Sequence, residues 1–292
     1  MKNVGKAEIC KILDNNMDFV LEFDTVCETS KKPVYTFIDA FTGNAEIPEF
    51  CLVYAEIDDT CDLNEIYVSV NSSCSEFDIE CCEKIYGLLI TYKSLNLIAH
   101  RTHHMRGGEN IKNLMLKNYK NIKTSESDFC ESFYFDASNE SNFLYPVPDI
   151  NVNIRPLTAG DRNLCGCFFD EKDDYLPEMF DYMLRDPVYD DCGIIGRFDG
   201  DSRFTGYIAY YGIGGKIRDV SYIYVGEKYR GKNYSGDLLE FFVHKNVKEN
   251  KISYYSYADG EISKRIVTSH KYKSFRFESC AERYETIINA EL

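Results

Sequence analysis

The chain has 292 residues, of which 44% are hydrophobic and 28% are charged. This length leaves room for two domains of ordinary size, and the composition excludes a wholly disordered chain. The net charge of −15 disfavours nucleic acid and membrane surfaces as partners. The same charge would attract a cationic amine, and it fits a role in solubility equally well.

Hydropathy and cysteine spacing limit the class of protein further. No apolar run approaches the ~20 residues that a membrane span needs, and residues 1–16 lack the apolar block of a signal peptide. We therefore expect a cytoplasmic protein, either a monomer or a homodimer. The twelve cysteines are scattered, so we expect buried thiols and no zinc site. His100, His103 and His104 are interpreted as a solvated turn, so no metal is predicted.

The first half of the chain alternates strand-like and helix-like patterns. Residues 136–148 are rich in turn residues, contain two prolines and indicate a linker. We therefore predict one domain at 1–150 and a second at 151–292. The predicted elements of the first domain are strands at 33–41, 50–57 and 65–70, a helix at 77–92, a strand at 95–100 and a helix at 109–119.

The second half opens with the sequence NIRPLTAGD at residues 153–161. Thr158 and Asp161 are competing N-cap residues for the helix that follows. The Asp199-Gly200 pair predicts a hairpin turn between two apolar runs. The predicted elements are helices at 161–171 and 175–184, strands at 193–198, 204–211 and 216–225, a strand at 252–257, a helix at 261–271 and closing strands at 275–288.

One stretch, residues 220–243, joins a strand to a helix through a loop of small residues. Residues 220–225 are β-branched or aromatic, and apolar residues recur at helical spacing from Leu238 to Val243. The loop between them, YRGKNYSG, carries two cations. Such a loop directs backbone N–H groups and the positive end of a helix dipole toward one point, which suits a phosphate.

This loop resembles the acyl-CoA signature R-x-x-G-x-G/A of the GCN5-related N-acetyltransferases (GNAT). Arg230 matches the arginine, whereas Asn233 and Ser235 replace the two small residues of the pattern. Asn tolerates a positive φ angle and Ser is small, so the loop can keep its shape. The opening IRPLTAGD resembles the I-R-P-L-T-x-x-D start of the same family, and the resemblance covers residues 152–288.

The two halves of the chain show a weak internal repeat. Ile66-Tyr67-Val68 and Ile223-Tyr224-Val225 each precede a loop, a helix, a strand and a Gly-Glu helix start. We favour a tandem duplication. The resemblance then implies an α+β fold with two GNAT-like domains, each with a mixed, mostly antiparallel central sheet flanked by helices.

The first copy lacks the features that suit a phosphate. Its loop at 69–78 has neither glycine nor a cation, and Glu76 and Asp78 lie at the predicted helix start. A carboxylate there competes for the N–H groups and repels an anion. We therefore predict that the first domain is a degenerate copy without a CoA phosphate loop.

The resemblance implies acetyl-CoA as co-substrate, held by the second domain. The strand before the loop is expected to splay, so that its backbone pairs with the pantetheine amides. The residues implied in binding are Ile223, Tyr224 and Val225 on the strand and Arg230, Gly231, Lys232, Asn233, Tyr234 and Ser235 on the loop.

Amine acetylation also needs proton transfer, because an alkyl amine with a pKa of roughly 10.4 is mostly protonated at neutral pH. Asp219 is the candidate base, directly or through water, and strand alternation predicts that it shares a face with Ile223 and Val225. The family places a tyrosine acid on the last helix, and Tyr272 is preferred here over His270. A core tyrosine and a surface histidine are the alternative interpretations of these two residues.

The leading prediction is an acyltransferase that moves an acetyl group from acetyl-CoA to the primary amine of an unidentified acceptor. The first alternative is a non-catalytic acyl-CoA-binding or regulatory protein, because both small-residue positions of the loop deviate. The second is an aminoacyl-tRNA-dependent transferase, which the net charge disfavours.

Overall fold

A computed structural model of the chain shows two compact units. The first comprises Met1–Glu28, Pro33–Ser132 and Cys280–Leu292, and the second comprises Thr29–Lys32 and Phe133–Ser279. The residues that the structure describes are 2–14, 19–27, 35–43, 49–57, 63–72, 74–91, 98–103, 108–138, 153–166, 175–187, 189–258, 265 and 277–290.

The first unit is built on a mixed sheet. Its strands follow the order β1-β2-β3-β4-β5-β12, in which β4 and β5 are parallel and the other described pairs are antiparallel. The bounds are β1 (Lys2–Asn3), β2 (Tyr35–Thr42), β3 (Phe50–Ile57), β4 (Leu63–Asn71), β5 (Ile98–His103) and β12 (Glu278–Ala290). A long strand, β6 (Ile122–Phe135), ends in the second unit.

Helices cover both faces of this sheet. Val53, Val68 and Ile85 belong to the core on the side of α3 and α4, and Tyr54 and Phe19 belong to the core on the side of α1 and α2. The helices are α1 (Lys6–Leu13), α2 (Val20–Cys27), α3 (Ser75–Thr91) and α4 (Gly108–Asn118).

A disulfide joins α1 to α2, which corrects the expectation that the cysteines are all thiols. Cys10 and Cys27 have Cα atoms 6.1 Å apart. The two helices pack side by side on β2, so residues that are 17 positions apart in the sequence become neighbours. Among the described residues, Cys51, Cys81, Cys82 and Cys165 are buried free thiols, as expected.

The second unit repeats this plan. Its strands follow the order β7-β8-β9-β10-β11, in which β10 and β11 are parallel and the other pairs are antiparallel. The bounds are β7 (Ile154–Pro156), β8 (Cys192–Phe198), β9 (Phe204–Ile213), β10 (Ile217–Val225) and β11 (Ile252–Ala258). The helices are α5 (Arg162–Cys165), α6 (Leu176–Met179) continued by a π-helix at Phe180–Arg185, and α7 (Tyr234–Lys248).

Two apolar layers hold this second sheet. Leu239 and Phe242 of α7 pack against Ile208 and Val220 on one face. Leu176 and Met179 of α6 pack against Tyr207 on the opposite face. The predicted α+β fold, with helices flanking a mixed sheet, is confirmed.

The extent of the two units differs from the predicted division of the chain at residue 150. Residues Cys280–Leu292 belong to the first unit, because β12 pairs with β5 from Arg283↔His103 to Ile288↔Ile98. Apart from Arg265, the helix predicted at 261–271 lies outside the described residues, as does most of the predicted linker. No helix in the described part of the chain is long and apolar enough to cross a membrane.

Thr158 and Asp161 cooperate rather than compete at the start of the second unit. The Thr158 backbone N–H and hydroxyl both donate to Asp161 Oδ2, at 2.8 and 2.9 Å. Arg155 adds two hydrogen bonds to the same carboxylate, at 2.7 and 3.0 Å. The capping pair therefore also anchors β7 to the helix that follows.

Candidate functional site

The parallel strands β10 and β11 form a fork. They pair at three positions, which end at Asp219↔Tyr254, although β10 continues to Val225 and β11 to Ala258. A β-bulge at Ser221 bends β10 just after the last of these pairs, because Val220 and Tyr222 face adjacent residues of β9. In the described chain, β10 continues from Val220 to Val225 beyond its last pair with β11, so the two strands separate there.

The bulge also corrects the predicted face of Asp219. Ile223 and Val225 contact the core beneath α7, whereas Tyr222 and Tyr224 contact the core on the opposite face. Asp219 is paired with Tyr211 and lies on this second face, next to Tyr222, because the extra residue Ser221 reverses the alternation. Simple alternation of side chains therefore gives the wrong face for Asp219.

The loop between β10 and α7 has the backbone shape expected of an anion site. Gly231 and Asn233 adopt positive φ angles of 80° and 62°, so asparagine takes the left-handed conformation that the sequence predicts. The first bond of α7 runs from Asp237 N–H to the Asn233 carbonyl at 3.1 Å. The N–H groups of residues 234–236 precede this bond and therefore point out of the helix start.

Two cations lie on the same loop. Arg230 donates from Nε to the Val225 carbonyl at 3.1 Å, and 56% of its side chain is exposed. Lys232 is exposed and lies 5.8 Å from the ring centroid of Tyr229. The loop therefore combines N–H groups, a helix N-terminus and positive side chains.

A buried arginine neutralises the one acidic residue in the first turn of α7. Arg197 on β8 donates from Nε to Asp237 Oδ2 at 3.1 Å, and its guanidinium carbon lies 3.2 Å from the ring centroid of Tyr234. Burial raises the pKa of Asp237, and Arg197 acts in the opposite direction. Sequence reasoning missed Arg197, since it lies 40 residues away from its partner and in no motif.

Asp219 lies at the vertex of the fork and is 3% exposed. Its Oδ2 accepts a hydrogen bond from the Tyr211 hydroxyl at 3.1 Å. Tyr211 is held in turn by Tyr189, whose ring centroid lies 4.7 Å away. The carboxylate is thus fixed beside the point where the two strands separate.

Several predicted residues cannot be placed at this site. Tyr272 and His270, the candidate acids, lie outside the described residues, and so does His104. His100 and His103 lie on strand β5. No cluster of three His, Cys, Asp or Glu suited to a metal occurs in the described ranges.

The corresponding strands of the first unit do not form a fork. β4 and β5 pair at five positions, from Ile66↔Ile98 to Val70↔Thr102, and β4 ends one residue later. Asp78, in the first turn of α3, is 2% exposed, and its burial raises the pKa of the carboxyl group. This unit therefore offers no opening between its parallel strands and has an acidic group at the helix start.

Comparison with solved structures supports the fold. A Drosophila protein matches with a TM-score of 0.58 at 14% identity, over 99% of this chain and 98% of that one. A tandem GNAT protein from the clavulanic acid biosynthesis pathway matches with a TM-score of 0.52 at 9% identity, over 98% and 94% of the two chains. A GCN5-related N-acetyltransferase-like protein from Streptococcus suis gives 0.50 at 10% identity, over 97% and 99%.

The sequence by itself has no such match. No protein-family model matches it, and neither does any curated protein. The chain therefore has a GNAT-like α+β fold, established by its structure alone at identities of 9–14% with these three proteins.

Proposed function

We propose that the second unit is an N-acyltransferase that uses acetyl-CoA to acylate a primary amine. The observation that carries this proposal is the fork between β10 and β11, which opens at Asp219↔Tyr254 and faces the loop before α7. An open strand edge suits an amide-containing arm, and an adjoining helix N-terminus suits a pyrophosphate.

The cofactor would be held mainly by backbone groups of the chain. Residues 223–225 would pair with the amides of the pantetheine arm, and the N–H groups of residues 230–235 would receive the pyrophosphate. Arg230 and Lys232 would add positive charge. Asn233 fits this role despite its departure from glycine, because its φ of 62° gives the left-handed backbone that glycine would adopt there.

Asp219 would assist the amine. Bound acetyl-CoA would supply an acyl carbon to which the amine nitrogen bonds as the carbon–sulfur bond breaks, which releases CoA as a thiolate. Asp219 would accept the proton that the amine loses, directly or through water, and the hydrogen bond from Tyr211 fixes its orientation. Tyr272 remains our candidate for returning a proton to the thiolate.

The first unit would support the fold without binding acyl-CoA. Its β4–β5 ladder is closed over five pairs, and Asp78 lies at its helix start. The equal strand order of the two units supports descent of this unit from a duplicated copy. A non-catalytic acyl-CoA-binding protein is the second candidate function, since the buried position of Asp219 limits its access to an amine.

Calorimetric titration of acetyl-CoA tests the proposal. We expect micromolar binding with one site per chain, and loss of binding in Arg230→Glu. Lys216→Glu is the matched control, because Lys216 is an exposed cation at the opposite end of β10. Binding that survives in Arg230→Glu, or is absent from the wild type, would contradict the proposal. Binding without thiol release across an amine panel would favour the non-catalytic alternative.

A further inference from the structure

Tyrosine rings form a row on the face of the second sheet opposite α7. The ring centroids of Tyr222 and Tyr224 on β10 lie 6.3 Å apart, and they lie 6.0 and 6.1 Å from that of Tyr207 on β9. Tyr175, which precedes α6, meets Tyr222 edge-on at 5.4 Å. Tyr207 is fully buried and Tyr175 is 55% exposed, so the row opens toward solvent at Tyr175.

The row lies between a carboxylate and a cation. Asp219 is the neighbour of Tyr222 on this face, because the bulge residue Ser221 is skipped in the register. At the other end, the Arg230 guanidinium carbon lies 5.6 Å from the ring centroid of Tyr224. The rings therefore extend from the vertex of the fork to the proposed phosphate loop.

The first unit has the same pair of rings in a closed setting. Tyr54 and Tyr67 are opposite each other on β3 and β4, with centroids 5.4 Å apart, as Tyr207 and Tyr224 are on β9 and β10. Tyr67 packs in the core on the side of α1 and α2 and is 8% exposed, whereas Tyr224 is only partly buried. Both units thus bury the tyrosine of the inner strand, Tyr54 or Tyr207, and the second unit leaves its partner Tyr224 partly exposed.

We propose that Tyr175, Tyr222 and Tyr224 bind the acceptor, and that the acceptor is an aromatic ring carrying a primary amine on a short chain. Offset or edge-on contact between rings favours an aromatic body, and the buried negative charge of Asp219 at the fork end of the row favours an ammonium group nearby. An aliphatic amine lacks the ring contact, and a polyamine has no flat group to place on the row. This assignment rests on the proposed acyl-CoA site.

Binding can be measured without transfer if the protein is saturated with CoA, which carries no acyl group. We would titrate 2-phenylethylamine, hexylamine as the matched aliphatic amine, and spermidine. We expect 2-phenylethylamine to bind most tightly, with an advantage over hexylamine of roughly two- to tenfold, as one aromatic contact provides. Tyr175→Leu should abolish this advantage, and Tyr119→Leu, which removes a stacked ring of the first unit, should preserve it.

The same titrations distinguish failure of the acceptor assignment from failure of the acyl-CoA site. Equal affinity for the aromatic and aliphatic amines, tighter binding of spermidine, or an unchanged advantage in Tyr175→Leu overturns the acceptor assignment alone. Failure of the wild type to bind CoA overturns the acyl-CoA site and the acceptor assignment together.

Discussion

Asp78 and Asp237 are the fourth residues of α3 and α7, the helices that follow β4 and β10. Each backbone N–H donates to the residue before its helix, Cys74 or Asn233, at 3.0 and 3.1 Å. Their side chains differ in setting: Asp237 forms an ion pair with Arg197, whereas Ser72 and Asn110 are the hydrogen-bonding neighbours of Asp78. Among the residues that the structure describes, a cation therefore pairs with this position only in the unit that has the fork.

Asn substitutions at these two aspartates should have opposite effects on stability. The pKa of Asp78 is raised, chiefly by burial, so the folded chain is stabilised as pH falls through that pKa toward the unfolded value of roughly 3.9. Asp78→Asn removes the buried charge and should stabilise the first unit at pH 7 by about 1 kcal/mol. This gain should shrink in acid.

The matched variant Asp237→Asn should destabilise the second unit by about 1–3 kcal/mol. Burial raises the pKa of Asp237 too, but losing the carboxylate of the buried Arg197 outweighs the relief of that burial. Unfolding in urea can be monitored by hydrogen exchange at the backbone amides of α3 and α7. These two sets of amides report the stability of the first and the second unit separately. Destabilisation by Asp78→Asn at neutral pH, or a gain that does not change with pH, would count against this account of Asp78.

Gly231 and Gly215 form a matched pair for testing the phosphate loop. Both have positive φ, 80° and 74°, and an added Cβ at either meets no atom within 4 Å. Each Gly→Ala change should therefore cost about 1 kcal/mol of stability through backbone strain. Only Gly231→Ala should also weaken acetyl-CoA binding, by tenfold or more, because it distorts the loop. Equal affinities of the two variants in calorimetry would refute a role for this loop.

Local sequence signals located most elements of both sheets. The strand predicted at 50–57 matches β3, and the predicted strand at 216–225 starts one residue before β10. These signals failed where the outcome depends on distant partners. The short helices α1 and α2 acquire their apolar contacts only by packing on the first sheet, and the strand pairing of β12 with β5 joins residues far apart in sequence.

In the candidate site too, the sequence predicted local backbone shape but not contacts between distant residues. The positive φ of Asn233 follows from its residue type and its place in the loop. The bulge at Ser221 could not be predicted from the alternation of side chains along the strand, because one inserted residue leaves no local sequence signature. It nevertheless moves Asp219 to the other face of the sheet. The Arg197–Asp237 pair likewise depends on the approach of β8 to α7.

Arg218 holds the closed end of the fork. Its guanidinium contacts Asp191 at 2.7 Å, Asn246 at 3.0 Å and Glu249, and its side chain is 7% exposed. Arg218→Met should destabilise the second unit by about 1–3 kcal/mol, because Asp191 and Glu249 lose their shared buried cation and keep only Lys251 and Lys245 as partners. Arg203→Met, at an exposed arginine, should change stability by less than about 0.5 kcal/mol. Similar denaturation midpoints for the two variants would contradict this role.

Asp161 should make the second unit sensitive to acid. Arg155 and the two Thr158 donors hold the pKa of Asp161 well below its usual range. The group therefore contributes stability above the unfolded pKa of roughly 3.9, and this contribution is lost as pH falls toward the lower folded value. Asp161→Asn should reduce stability at pH 7 by roughly 1–3 kcal/mol, with a smaller difference from wild type at pH 3. A difference that is constant with pH would exclude the carboxylate charge as the cause.

Hydrogen exchange with and without acetyl-CoA tests the central claim most directly. The proposed site predicts protection of the backbone amides in residues 226–237, which span the loop and the start of α7. The equivalent amides of residues 69–78 should exchange at the same rate in both conditions, because β4 and β5 stay paired. Protection of residues 69–78, or no protection of residues 226–237 at saturating acetyl-CoA, would contradict the assignment of cofactor binding to the second unit.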